Sequence, residues 1–110
     1  MENRILKLHN KAIALAKIFH ETEFELIEII GEIDKYKAYL HVSYNSLFEY
    51  AVKALKLSEA NAYNFITVAR KSESVPELKI AIKEGGLSVA KARKIRTSYC
   101  ENNTANFNSR

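Results

Sequence analysis

Chain breakers are scarce. One proline and three glycines serve 110 residues, too few for the many tight turns of a β-rich fold. There is one cysteine, Cys100, so an internal disulfide is excluded, and a lone thiol cannot build a metal site. A reducing cytoplasm fits that usage. No apolar run approaches the ~20 residues that cross a bilayer. Charged residues interrupt every apolar run near the N-terminus, so the pattern of a signal peptide is missing as well. Histidine is sparse: His9, His20 and His41 stand in neither a His-x-x-x-His nor a Cys-x-x-Cys arrangement.

Candidate chemistry is equally thin. No local signature of Ser-His-Asp or Cys-His catalysis is present. The acidic cluster Glu21, Glu23, Glu25 and Glu28 is explained more simply by a helix start, where carboxylates meet the positive end of the dipole, than by paired catalytic acids. Gly85-Gly86 lacks the flanks of a phosphate loop and reads as a helix stop. The expectation is therefore a chain that is not an enzyme, binds no cofactor, metal or small-molecule substrate, and makes no use of a membrane.

What is present is helical pattern. Ile5, Leu8, Ala12, Leu15 and Phe19 recur every three or four positions and predict a first helix from Glu2 to Phe19 with one apolar stripe. Thr22 with Glu25 forms a capping box and predicts a fresh start, with a second helix to about Tyr39 that turns Phe24, Ile27, Ile30 (or the adjacent Gly31) and Ile33 inward. His41 to Asn45 reads as a connection. Ser46 with Glu49 opens a helix to about Leu55, with Leu47, Tyr50, Ala51 and Ala54 toward the core. Ser58 opens another to about Ser72, burying Ala62, Phe65, Ile66 and Ala69. Pro76 suits a first helical position, and the helix it starts ends at Gly85-Gly86. Ser88 then caps a last helix to about Tyr99. The segment 101–110 has no apolar period and reads as a disordered tail or linker. The prediction is an all-α domain over residues 1–100, a compact bundle of five to six helices with a helix-turn-helix-like element.

Charge is unevenly placed. Residues 1–49 hold six Lys/Arg against eight Asp/Glu, whereas residues 50–96 hold ten against four. Duplex DNA offers a dense row of phosphates and a major groove that admits a helix. The helix after Ser58 presents Tyr63, Asn64, Thr67, Arg70 and Lys71 away from its apolar stripe. Asn64 can pair with an adenine edge, Arg70 with guanine or phosphate, and Tyr63 and Thr67 suit phosphate or thymine. The helix after Ser88 sets Lys91, Arg93, Lys94 and Arg96 within two turns, a grip for phosphate. Helix starts at Ser58 and Ser88 can add N–H donors. The plainer alternative for all of these is a solvated, lysine-rich surface.

Several stretches carry a resemblance. Tyr36-Lys37-Ala38-Tyr39-Leu40 is followed by Tyr44-Asn45-Ser46-Leu47-Phe48-Glu49-Tyr50 and Leu57-Ser58-Glu59-Ala60-Asn61-Ala62-Tyr63. Ala69-Arg70, Val75-Pro76-Glu77-Leu78 and Gly85-Gly86-Leu87-Ser88 come next in the same order. Together these resemble the helical N-terminal domain that precedes an HNH endonuclease domain in many bacteria, over about residues 25–97. Val75 stands where an aromatic is usual before the proline, and Gly86 replaces a more common polar residue. The resemblance implies an all-helical module for DNA targeting. It brings no nuclease chemistry, because the paired histidines and Asn of an HNH motif are missing from this chain. It implies either a fragment or a stand-alone version. The expected partner is double-stranded DNA. The rival reading is a helical protein-interaction module with a homodimer contact through residues 2–19.

Overall fold

The computed structural model describes residues 2–95. They form six α-helices: α1 (Glu2–Tyr36), α2 (Ala38–His41), α3 (Leu47–Lys53), α4 (Glu59–Ser74), α5 (Glu77–Lys83) and α6 (Val89–Lys94). No strand occurs among the described residues. The fold is the expected all-α bundle.

The largest departure is α1. The expected break between Phe19 and Thr22 does not form; a single helix runs through both residues. Nothing between Glu2 and Ile30 forces an ending, since neither proline nor glycine occurs there. Thr22 has capping chemistry but no reason for the backbone to leave the helix. The helix ends instead at Tyr36, short of the expected limit at Tyr39, because Lys37 turns left-handed with a φ of 53°. Tyr39 itself sits in the short α2.

The remaining starts follow their caps. Ser46 Oγ accepts the Glu49 N–H at 3.0 Å, Ser58 Oγ the Asn61 N–H at 3.1 Å, and Ser88 Oγ the Lys91 N–H at 3.1 Å. Glu49 Oε1 reaches back to the Asn45 N–H at 2.9 Å. That bond holds the Glu49 carboxyl below its ordinary range, with Lys53 helping. Pro76 precedes α5 in helical geometry. Gly85 ends it at φ 85°, while the Gly86 N–H returns to the Ala81 carbonyl and the Gly85 N–H to that of Ile82, a Schellman stop. A side chain at Gly85 would also meet the His20 ring at 3.0 Å.

Two helices are shorter than expected. α3 ends at Lys53 rather than Leu55, leaving Ala54 exposed and Tyr50 half-buried. α6 ends at Lys94, and Ile95 is extended. The expected stretch to Tyr99, and the tail 101–110, lie outside the described residues.

α4 is the centre of the bundle, touching α1, α3, α5 and α6. It buries Ala62, Phe65, Ile66, Val68, Ala69 and Ser72. Ile27 and Ile30 of α1, Leu47 and Ala51 of α3, Ile82 of α5 and Val89 and Ala92 of α6 close on it. Only the second half of α1 takes part. Ile5, Leu8, Leu15 and Phe19 in the first half are 55–63% exposed.

Candidate nucleic-acid interface

The central place of α4 limits what it can show to solvent. Tyr63, Thr67 and Arg70 follow one another along the helix at spacings of four and three. They line a groove of about 340 Å³ with Ser46, Leu47 and Phe48 at the start of α3. Asn64 is rotated by one residue, about 100°. It lines a different groove, of about 540 Å³, with Phe19, His20, Phe65 and Leu87. Four of the five residues expected to act together on α4 are thus divided between two grooves.

Two of the expected cations are engaged within the fold. Arg70 donates from Nε and Nη2 to the two carboxylate oxygens of Asp34, both at 3.0 Å. The fork-on-fork pair holds the Asp34 carboxyl below its usual range and raises the Arg70 guanidinium. Lys71 reaches across to the end of α6, where its Nζ donates to the Arg93 carbonyl and, at 2.6 Å, to that of Ile95. An ammonium there satisfies carbonyls that no longer have helical partners.

The third group is brought together. α6 packs on α4 and places the Arg93 guanidinium over the Tyr63 ring, 5.2 Å from its centre. Arg93 Nε is buried there without a hydrogen bond, so packing and the cation–π contact hold the group. Tyr63 remains 54% exposed. Lys91 and Lys94 flank Arg93 and are exposed. Among the described residues no carboxylate pairs with Lys91, Arg93 or Lys94. Lysine pairing is found elsewhere, in Lys53–Glu49 and Lys79–Glu28. α6 thus carries Arg93 against the Tyr63 ring and Lys91 and Lys94 in solvent. Arg96 lies outside the described residues.

The expected N–H donors at the starts of α4 and α6 are partly taken by their own serines. In the groove that these two starts share with α1, burial pushes the Glu23 carboxyl up, with His20 opposing. Among the described residues, no three His, Cys, Asp or Glu converge on a metal-sized site, and no helix is long and apolar enough to cross a membrane.

Two features of the site have no signal in the sequence: the role of Asp34, and the stacking of Arg93 on Tyr63. They join residues 36 and 30 positions apart, and no periodicity or cap encodes such pairings. Comparisons of the chain with protein-family models, curated proteins and solved structures gave no match.

Proposed function

We propose that this chain binds double-stranded DNA through α6, with Lys91, Lys94 and Arg93 against phosphates and Tyr63 beside Arg93. The observation that carries the reading is that, among the described residues, no carboxylate engages these three cations of α6. An ion-paired cation must break its pair to meet a phosphate, whereas these need not. Arg70 and Lys71 act by shaping the surface, Arg70 through Asp34 and Lys71 through the end of α6. Thr67 lies along the groove next to Tyr63, and Asn64 lies off it, so the reading is one of backbone grip more than base recognition. The likeness to the domain that precedes HNH endonucleases supports the same role, as a targeting module of such a protein or a stand-alone version of it.

The test is fluorescence anisotropy with a random duplex at several salt concentrations. Changing Lys91, Arg93 and Lys94 together to Ala should weaken binding to every sequence. The slope of log K against log salt should become shallower by about 1 for each phosphate that the variant no longer neutralises. Unchanged affinity and slope in the triple variant would remove α6 from the interface.

A second reading is favoured by one observation, the exposed apolar stripe on residues 2–19. It is a helical interaction module whose contact is with another copy of itself.

A further inference from the structure

The first half of α1 projects from the bundle. The helix is about 52 Å long at 1.5 Å per residue, and the molecule measures 60 Å in its longest direction. Ile5, Leu8, Ala12, Leu15 and Phe19 stand at alternating spacings of three and four. The same alternation continues without a slip through Thr22, Leu26, Ile29, Ile33 and Tyr36. That is a seven-residue repeat along the whole helix, with nine of ten seam positions apolar or aromatic.

The bundle covers this seam only along one edge. In the second half of α1 the buried positions are Ile27 and Ile30, to one side of it. Leu26 and Ile33 are half-buried at the edge, whereas Ile29 and Tyr36 are 53% and 67% exposed. The exposed edge runs from Ile5 through Phe19 and continues at Ile29 and Tyr36.

Charge along the helix selects what covers it. From Asn3 to Phe19 the charged side chains are Arg4, Lys7, Lys11 and Lys17, with no carboxylate. From Glu21 to Asp34 they are six carboxylates, with no Lys or Arg. Such a helix is complementary to itself only when the two copies run in opposite directions. Arg4, Lys11, Glu25 and Glu32 all occupy the position just before a seam residue, on the flank away from the bundle. In an antiparallel pair this flank meets its own equivalent, basic end against acidic end. A parallel pair lays the basic halves together, and an antiparallel pair of the projecting halves alone sets four cations against four.

We propose that two copies of this chain associate through α1 in antiparallel register over its full length. The proposal rests on the interaction reading and deepens it. Ile5 then layers on the partner's Tyr36, Leu8 on the partner's Ile33, Ala12 on the partner's Ile29 and Leu15 on the partner's Leu26. Phe19 meets the partner's Thr22 near the two-fold axis. Lys11 lies beside the partner's Glu32, and Arg4 lies further out along the same flank, within the basic half that faces the partner's acidic half. The contact is isologous and closes at two copies.

Sedimentation equilibrium of the full chain tests this, with far-UV circular dichroism confirming that each variant keeps its helix. The wild type is expected to be dimeric, and the exposed-site variant L8E/L15E monomeric. R4E/K11E and E25K/E32K should each raise the dimer Kd about tenfold or more. Mixing the two should restore association as a heterodimer, and the fourfold reversal in one chain should restore the homodimer. A wild type that stays monomeric overturns both the pairing and the interaction reading. A dimer that L8E/L15E abolishes but charge reversal leaves unchanged keeps the interaction reading and overturns the antiparallel register.

Discussion

At the scale of single residues, the Asp34–Arg70 pair is the contact most open to measurement. It ties α1 to α4 through two hydrogen bonds, and Arg70 is the main reason that the Asp34 carboxyl is held low. A carboxyl whose folded pKa lies below its unfolded one stabilises the native state when ionised. That contribution is complete above about pH 5, and it is lost as pH falls through the unfolded value near 4 toward the lower folded one. Arg70 is more than half exposed, so solvent screening keeps the contribution to about 0.5–1 kcal/mol. Asp34→Asn should therefore cost about that much at pH 7. It should also show a shallower decline of stability with acid than the wild type. Urea unfolding at a series of pH values reads both. Parallel pH profiles for the two proteins would show that the pair contributes nothing.

At the scale of elements, the caps are legible in the sequence and the pairings across the fold are not. Ser46, Ser58, Ser88 and Gly85 each act within four residues of their partners, and each marks the boundary that its chemistry predicts. Thr22 shows the limit of that logic: a capping box describes how a helix can begin, but only a breaker makes the previous one stop. The buried face of α4 can be read from its 3.6-residue period, because a helix at the centre of a bundle must bury a wide apolar arc. The fate of its polar residues cannot, because Arg70, Lys71 and Asn64 are assigned by neighbours far along the chain. Lys71 illustrates the consequence. Its position on α4 suggests a ligand-facing cation, yet its ammonium closes the end of α6. Lys71→Met keeps the aliphatic stem and removes the donor. A hydrogen bond from a charged group is worth about 1.5 kcal/mol, which corresponds to about tenfold in local opening. Amides of α6 should exchange faster by that factor while those of α3 hold, and DNA affinity should fall although Lys71 is not among the phosphate-facing side chains. Unaltered exchange in α6 would show that the helix end does not depend on Lys71.

At the scale of the whole molecule, the described residues divide into a bundle that buries its own core and a projecting half-helix with no buried side chain. An isolated helix of fewer than about 12–15 residues is marginal in water, and most helical stability comes from tertiary packing. Residues 2–18 are little longer than that and are all exposed among the described residues, so their order depends on what lies against them. The bundle does not share this dependence, because α4 is enclosed by its neighbours α1, α3, α5 and α6. Hydrogen exchange should therefore separate the two parts by their response to protein concentration. Amides between Ile5 and Ile18 should exchange nearly freely in dilute solution and gain protection as concentration rises through the dimer Kd. Amides of α4 such as Val68 and Ala69 should be protected equally at every concentration. The acidic half of α1 gives the internal control: its amides near Ile27 and Ile30 stay protected by the core in the monomer. An arm protected equally at all dilutions would mean that this half-helix is held within one chain, by contacts other than those that join α1 to the bundle.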